Sequence, residues 1–501
     1  MRRTLPLLGI PLLFLLVAPA ALAAKSPAAT DSISHEAENA VVKVFSTMGR
    51  PDLARPWSKQ PPIEATGSGV IIEGDRILTN AHVVAYASQV QVQANQSGDK
   101  ISAHVIALAA GIDLAVLKLD DETFFKSHPA LPRAKVLPQI KDAVLAYGFP
   151  TGGTSLSITR GIVSRIEFVG YGYLTSGLRI QIDAALNPGN SGGPAIADGK
   201  MIGLAFSHLL GSENISYIIP NEEIDLFLQD IADGHYDGKP GMYDTLQTLE
   251  NPALRGYLKL DPAVKGMIVT HPDDGVKDNP LHQWDVLTRI GSTDIDNEGM
   301  VKVSGGLRVS FQYMIQKIPH GATVPLTLVR AGRVETVQMP VPTQRPLLIP
   351  GLQGEYPSYF ICGPVVFERA TLESLGLLRQ RAGFSPILGH IGDPPTAELQ
   401  ELVMISSPLF PHALSRGYSN PAGDVVKTVN GTSIKSLAHL VALLRDLKDD
   451  FVVIDFDGRA GESLVFPRAQ LLASTEEILT DNGVRAAGSA DMLKVWQAKA
   501  P

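Results

Sequence analysis

Short apolar runs separated by turn residues dominate the first half of the chain. A first run lies at residues 41–45, and from residue 67 to about 231 further runs alternate with Gly, Asn and Asp. This spacing is typical of an all-β barrel. Residues 221–231 instead carry apolar side chains at helical spacing, so we predict a helix that closes this domain. A linker with Gly and Pro follows at 234–243.

The second half contains a weak internal repeat. The heptapeptide DVLTRIG at 285–291 recurs as DVVKTVNG at 424–431. Each copy precedes a predicted helix, at 311–318 and 437–447, and then a strand, turn and strand. This order is PDZ-like. We therefore predict two α+β modules, at 245–345 and 352–472, and a polar tail at 473–501.

The sequence around Ser191 is typical of a nucleophilic serine. Residues 187–194 read NPGNSGGP, so Ser191 stands among glycines in a turn. A serine hydroxyl attacks a carbonyl only when it is accessible and when N–H groups can receive the resulting oxyanion. Upstream, His82 and Asp113 each adjoin an apolar run and can supply a general base and its orienting carboxylate. The order His, Asp, Ser fits a double β-barrel protease.

An α/β-hydrolase is the rival fold, because GNSGG also satisfies the nucleophile-elbow pattern. In that fold a helix follows the serine, and the acid and the histidine come later in the chain. Here Ser191 is followed by Gly-Gly-Pro and then by a strand, a turn and a strand. We therefore exclude an esterase or lipase.

Composition and targeting signals narrow the function further. The 501 residues carry 43 basic and 51 acidic side chains, a net charge of −8, which argues against nucleic acid as a partner. Cys362 is the single cysteine and excludes an intrachain disulfide. No metal-ligand spacing and no phosphate-binding loop is present, so we expect no metal, no cofactor and no ATP.

The N-terminus predicts export. Arg2 and Arg3 precede an apolar core and an Ala-Leu-Ala site at 21–23, the pattern of a cleaved signal peptide at 1–23. We expect a protein of the periplasm or cell envelope, with secretion as the alternative, and no stable membrane span after cleavage.

Several motifs resemble one protease family. The motifs TNAHVV at 79–84, DLAVLKL at 113–119 and NPGNSGGPA at 187–195 resemble HtrA (DegP-like) serine proteases. The stretches 357–367 and 417–434 resemble the plant-type Deg subgroup, which has two dissimilar PDZ modules. The resemblance implies a mainly β protein with a trypsin-like double β-barrel protease domain at 35–235, followed by two PDZ-like α+β domains.

The resemblance also assigns roles to residues. It makes His82 the base, Asp113 the orienting acid and Ser191 the nucleophile, the same triad that the spacing indicates. The backbone N–H groups of Gly189 and Ser191 would form the oxyanion hole. The S1 pocket would have Ala185 as its floor and Leu204, Ala205 and Phe206 as a wall. The carboxylate-binding loop of the first PDZ-like domain would consist of Tyr257, Leu258, Lys259 and Leu260.

The implied function is that of an ATP-independent serine endoprotease. It would cleave unfolded or damaged proteins through an acyl-enzyme, and its PDZ-like domains would bind C-terminal peptides, regulate the enzyme or support assembly. A homo-oligomer built on trimers is expected, with residues 41–45 and the loop to Trp57 as contacts. The alternative is a non-proteolytic chaperone or PDZ adaptor with a silent triad.

Overall fold

A computed structural model describes residues 36–151, 153–171, 175–206, 216–303, 306–378, 386–458 and 462–498. The predicted signal peptide at 1–23 lies outside these residues. Among the residues described, no helix is both long enough and apolar enough to cross a membrane.

Two closed antiparallel barrels of six strands form the N-terminal half. The first has the order β1-β2-β3-β6-β5-β4 and consists of β1 Val41–Met48, β2 Ile63–Ile72, β3 Arg76–Thr79, β4 Ala87–Ala94, β5 Lys100–Ala109 and β6 Leu114–Leu119. The second has the order β10-β11-β12-β9-β8-β7 and consists of β7 Ala143–Gly148, β8 Ser157–Gly170, β9 Ser176–Ile182, β10 Pro194–Ala197, β11 Lys200–Phe206 and β12 Ser216–Pro220. The predicted double barrel is confirmed.

Alternating burial explains how the barrels close. Along β1, Val42 and Val44 are fully buried and point into the first barrel, while Lys43 between them and Phe45 after them are partly exposed. This period of two is what a strand with one buried face requires. A shared core joins the barrels, with Leu78 of the first packed in one cluster with Leu204 of the second. This half also holds the short helices α1 Ala81–Val84 and α2 Asn221–Asp230, and the second caps the domain as predicted.

The first PDZ-like domain is a mixed α+β module. Its main sheet has the order β13-β14-β15-β19-β20, formed by β13 Thr245–Thr248, β14 Met267–His271, β15 Val286–Ile290, β19 Thr323–Arg330 and β20 Arg333–Pro340, with β16 Thr293–Asp294 paired to β15. A second sheet pairs β17 Met300–Lys302 with β18 Arg308–Ser310, and the helices are α3 Pro252–Tyr257 and α4 Gln312–Ile315. Its core is continuous with that of the second barrel, where the rings of Phe168 and Tyr313 lie 6.4 Å apart.

The second PDZ-like domain has a larger sheet of order β21-β22-β23-β24-β26-β27. Its strands are β21 Tyr359–Cys362, β22 Val365–Arg369, β23 Val403–Ile405, β24 Val425–Val429, β26 Phe451–Asp457 and β27 Ser463–Pro467, with β25 Thr432–Ser433 paired to β24. Its helices are α5 Leu375–Leu378, α6 Leu437–Asp446, α7 Arg468–Asp481 and α8 Ala490–Gln497.

The residues after 473, which we expected to be a tail, belong to this domain. Helix α7 buries Ile478 and Leu479 against the sheet, and Met492 of α8 joins its core. The chain between the helices adds to the free edge of β21, because the amide of Ile361 donates to the carbonyl oxygen of Ala487 at 2.6 Å. A few apolar side chains in an otherwise polar sequence are thus enough to pack the residues after 473 against the second PDZ-like domain.

The second PDZ-like domain also contacts the protease domain. Trp57 packs against Phe410 with ring centroids 5.3 Å apart, and the Tyr356 hydroxyl donates to the carbonyl oxygen of Gly49 at 2.7 Å. Residues 41–45 lie in β1 and Trp57 is partly buried against the second PDZ-like domain, so both expected subunit contacts also take part in packing within the chain.

Candidate active site

The loop at residues 183–193, called the serine loop below, carries Ser191 and joins β9 to β10 at the junction of the two barrels. Several of its glycines leave no room for a side chain. Gly189 and Gly192 have φ of +98° and +88°, a region that favours glycine. A Cβ at Gly192 would lie 2.0 Å from the carbonyl oxygen of Ser68, and one at Gly193 would lie 2.0 Å from that of Tyr147. The backbone therefore approaches its neighbours more closely than any other residue type permits, which holds Ser191 in place.

His82 and Asp113 form a hydrogen-bonded pair. His82 lies in α1, directly after β3, and its Nδ1 is 2.7 Å from Oδ2 of Asp113. The other carboxylate oxygen accepts the backbone N–H of His82 at 2.8 Å, and Asn80 Nδ2 donates to the Asp113 carbonyl oxygen at 2.9 Å. Since a carboxylate can only accept, Nδ1 carries the proton of the neutral ring and Nε2 has the free lone pair. This is the tautomer that a general base needs.

Ser191 lies close to this pair across strand β2. The backbone N–H of Ser68 donates to the carbonyl oxygen of Ser191 at 2.8 Å. A Cβ at Gly67 would lie 2.7 Å from Val83, the neighbour of His82, and 3.4 Å from the Ser191 carbonyl oxygen. Among the described residues no hydrogen bond joins His82 to the Ser191 hydroxyl. Such bonds are often long in free enzymes and tighten when substrate binds.

Two backbone N–H groups of the serine loop are left without an acceptor among the described residues, because the carbonyl oxygens of the same peptides are held by other partners. The carbonyl oxygen of Pro188 accepts the amide of Thr151 at 2.7 Å, and that of Asn190 accepts the amide of Gly193 at 3.0 Å. In a planar trans peptide the N–H points away from the C=O. The N–H groups of Gly189 and Ser191 therefore point away from these partners, and neither has an acceptor among the described residues.

Ser68 is a site residue that the sequence did not reveal. Its buried hydroxyl donates to the carbonyl oxygen of Gly189 at 2.7 Å and accepts the amide of Phe149 at 2.8 Å. Thr79, also fully buried, donates to the Ser68 carbonyl oxygen at 2.7 Å. Ser68 thus fixes the peptide that follows Gly189. The available signal was Gly-Ser-Gly at 67–69 directly before the apolar run at 70–72.

The four residues expected in the S1 pocket differ in their exposure to solvent, and two of them are fully buried. Ala185 is exposed, and its carbonyl oxygen accepts the Thr159 hydroxyl at 2.9 Å. Leu204 and Ala205 are fully buried in the barrel cores, so their side chains do not line an open pocket. Ala205 instead supports the serine loop, because its amide donates to the Gly193 carbonyl oxygen at 2.7 Å. Phe206 is half-buried, 4.7 Å from the Arg179 guanidinium.

The expected carboxylate-binding loop differs from the structure. Tyr257 ends helix α3, and the next residues form the C-terminal turn of that helix. The amides of Leu258, Lys259 and Leu260 donate to the carbonyl oxygens of Leu254, Gly256 and Arg255. Because these N–H groups are already used, they cannot hold a carboxylate. The main sheet ends in two edge strands, β13 and β20, and a peptide can add to a sheet at such an edge.

The corresponding part of the second PDZ-like domain is covered. The amide of Gly363 donates to the Thr475 hydroxyl of α7 at 2.8 Å. A Cβ at Gly363 would lie 2.3 Å from a methyl group of Leu471. Helix α7 therefore closes this loop.

Potential metal ligands come together away from the serine loop. Within the described ranges, only Asp230, Asp237 and His320 bring three such side chains within 4.8 Å of one another. They lie where the protease domain joins the first PDZ-like domain.

Comparison with known proteins agrees with this architecture. A model of the trypsin-like peptidase domain matches residues 67–204, and a PDZ domain model matches residues 351–491. The chain is 34% identical to the chloroplastic Protease Do-like 2 of Arabidopsis thaliana over 91% of its own length and 76% of the relative. It is 32% identical to the mitochondrial Protease Do-like 4 of the same plant over 95% and 90%.

A solved structure gives the same result. The HtrA-type protease AlgW, determined with a tripeptide, has a TM-score of 0.50 and 25% identity, and the match covers 63% of this chain and 97% of that one. A trypsin-like barrel pair, a PDZ-containing C-terminal region and relatives that match almost the whole chain lead to one assignment: this chain belongs to the Deg/HtrA family of serine endopeptidases.

Proposed function

We propose that this protease is ATP-independent, cleaves unfolded or damaged proteins, and works through His82, Asp113 and Ser191. The observation that carries the proposal is the His82–Asp113 pair, held by contacts of 2.7 and 2.8 Å beside a serine loop with two available N–H groups. A residue that binds a histidine through both carboxylate oxygens fixes the tautomer and orientation of its ring.

The reaction follows from this geometry. The Ser191 oxygen attacks the scissile carbonyl carbon while Nε2 of His82 takes the hydroxyl proton, and Asp113 stabilises the imidazolium. The N–H groups of Gly189 and Ser191 receive the negative charge on the former carbonyl oxygen. The C–N bond then breaks, the amine leaves with the proton from His82, and an acyl-enzyme remains. Water, deprotonated by His82, hydrolyses this ester and restores the serine.

A fluorophosphonate probe tests the triad directly. The full chain should be labelled and should degrade unfolded casein without ATP. Ser191→Ala should remain folded but lose labelling, and its turnover should fall by about 10⁴- to 10⁶-fold. Ser102→Ala is a matched control, since that serine is exposed on β5. A purified Ser191→Ala protein with activity within about tenfold of the parent would refute the proposal.

We further propose cleavage after small or medium aliphatic residues. Ala185, six residues before Ser191, is the position that the resemblance assigns to the floor of the S1 pocket, and it carries no negative charge. A substrate Arg or Lys in this pocket would therefore bury an unpaired charge at a cost of several kcal/mol. Mass mapping of casein fragments should show cuts after Val, Ala, Ile or Leu. Fragments ending mainly in Arg or Lys would contradict this specificity.

For the first PDZ-like domain we propose peptide binding at the edge strand β13. This strand pairs with β14 on one side, and residues 245, 247 and 248 are exposed. The binding of a tripeptide by the similar protease AlgW supports the proposal. A fluorescent hydrophobic peptide should bind the full chain, and the same peptide methylated at alternate backbone nitrogens should bind at least about tenfold more weakly, because strand addition depends on backbone hydrogen bonds. Equal affinities would argue against strand addition.

Assembly and location complete the proposal. We infer a homo-oligomer built on trimers, and a monomer in light scattering at micromolar concentration would contradict it. We also infer delivery out of the cytosol, to the periplasm or envelope, by the leader at 1–23. The similar Arabidopsis proteins are named as chloroplastic and mitochondrial, so they too are delivered to a separate compartment. N-terminal sequencing of the mature protein should begin at residue 24.

A further inference from the structure

Three side chains from separate segments meet where the protease domain joins the first PDZ-like domain. Asp230 is the last residue of α2, Asp237 lies in the linker, and His320 lies in the turn between α4 and β19. Oδ1 of Asp230 is 3.3 Å from Nε2 of His320, and Oδ2 of Asp237 is 3.8 Å from its Nδ1. One ligand atom of each residue lies within 4.8 Å of the other two.

Hydrogen bonds orient both carboxylates toward this point. Oδ2 of Asp230 accepts the amides of Asp237 and Gly238 at 2.9 and 3.2 Å. Oδ1 of Asp237 lies 2.8 Å from Nδ1 of His235. Each carboxylate therefore uses one oxygen for a neighbour and directs the other at the His320 ring, Asp230 toward Nε2 and Asp237 toward Nδ1. Outer hydrogen bonds of this kind orient ligands in metal sites.

The burial of Asp230 is a second, independent observation that favours a cation at this point. Its side chain is only 6% exposed, yet Oδ1 has no hydrogen-bond partner among the described residues. A buried carboxylate oxygen without a partner is costly, and a metal ion would offset that cost. The imidazole at 3.3 Å is out of line for a hydrogen bond. That separation is close to the roughly 3.4 Å between two ligand atoms on a tetrahedral zinc ion with bonds of about 2.1 Å.

A metal ion could reach these three residues from solvent, and no unpaired positive charge among the described lining residues would repel it. A cavity of about 430 Å³ borders the three residues and provides an entry path. Two lysines line it, but Lys239 lies 2.5 Å from Glu223 and Lys317 is paired with Glu222. Their charges are therefore already balanced.

We propose that Asp230, Asp237 and His320 bind a divalent transition-metal ion, zinc in particular, which links the protease domain to the first PDZ-like domain. One imidazole nitrogen and two carboxylate oxygens are ligands that zinc accepts, whereas calcium and magnesium prefer six or more oxygens. Three protein ligands leave one position for water or for a further side chain. Because the ligands come from both domains and from the linker, the bound ion restricts movement of one domain against the other.

Metal titration of the full chain tests the site. After dialysis against a chelator, calorimetry with zinc chloride should give one ion per chain, and cobalt(II) should give the visible absorption of a tetrahedral site. His320→Ala and Asp230→Asn should each weaken zinc binding by at least about tenfold. The amide side chain introduced by Asp230→Asn keeps an oxygen for the two backbone N–H groups, so this variant preserves the local fold.

A matched control is available on the first barrel. The imidazole of His104 lies 3.3 Å from the single carboxylate of Asp120, so His104→Ala should leave the affinity unchanged. Circular dichroism checks that each variant is folded. If the folded parent binds neither zinc nor cobalt, the cluster is an ion pair and the proposal is wrong. Unchanged affinity in His320→Ala would overturn it equally.

Discussion

The amide of Thr151 donates a hydrogen bond of 2.7 Å to the carbonyl oxygen of Pro188. This contact sets the direction of the peptide that carries the N–H of Gly189. If the peptide turned over, a carbonyl oxygen would occupy the position at which the oxyanion forms, and repulsion would replace stabilisation. The active arrangement of the serine loop therefore depends on a loop from outside it.

Removing that amide should lower the rate of the chemical step. In Thr151→Pro the backbone donor is lost, and we expect kcat to fall by about 10²- to 10³-fold, the usual effect of losing one oxyanion-hole donor. KM should change little, because the substrate contacts remain. Thr151→Ala keeps the amide and serves as the control. A parental kcat in Thr151→Pro would show that the loop holds its orientation without this bond.

Ser68→Ala should affect both stability and activity. The change leaves the carbonyl oxygen of Gly189 and the amide of Phe149 without their buried partner. We expect the free energy of unfolding to fall by about 1–3 kcal/mol. Denaturant titration and kcat for a short peptide measure the two effects. A stable variant with unchanged kcat would mean that Ser68 has no positioning role.

Gly192→Ala should be more damaging than an alanine at an open glycine. The new methyl group would lie 2.0 Å from the Ser68 carbonyl oxygen, and the residue would keep a φ of +88°. We expect loss of hydrolysis and a lower melting temperature. Gly98→Ala, where no atom lies within 4 Å of the added Cβ, is the control. Equal melting temperatures for the two variants would contradict the prediction.

Glu368 gives the protein a distinct pH dependence. This side chain is fully buried, and burial raises its pKa from 4.5 to about 8. Between these values the unfolded state releases the proton while the folded state keeps it, so stability decreases as the pH rises from 4.5 to 8. The slope approaches about 1.4 kcal/mol per pH unit. Glu368→Gln removes this titration.

The melting temperatures of parent and Glu368→Gln test that dependence. The variant should gain stability over the parent at about pH 8 and much less at about pH 5, so the acidic measurement is an internal control. A difference that is constant across this range would show that Glu368 does not titrate there.

Much of the protease domain could be predicted because its signals are local. Strand alternation and the motifs around His82, Asp113 and Ser191 lie in short windows of sequence. Ser68 was missed because its partner, Gly189, lies 121 residues away. A contact over that distance depends on how the two barrels pack, which periodicity does not encode.

The prediction of a carboxylate-binding loop in the first PDZ-like domain failed for a different reason. Residues 257–260 were expected to bind a carboxylate, but Asn251 and Pro252 begin a helix whose end uses those amides. Asn before Pro is a known helix-start signal, so the sequence contained the correct information. In the C-terminal segment, by contrast, helix α7 is amphipathic only weakly, and its burial follows from the sheet on which it packs.

The packing of Trp57 on Phe410 allows the contact between the protease domain and the second PDZ-like domain to be monitored by tryptophan fluorescence. The chain has three tryptophans, and the other two lie beside Tyr257 and Phe360. With Trp284 and Trp496 replaced by phenylalanine, Trp57 would be the single indole emitter. Separation of the two domains would expose more of it to water and shift its fluorescence to longer wavelength, so whether this interface opens during substrate turnover can be measured in real time without any attached dye.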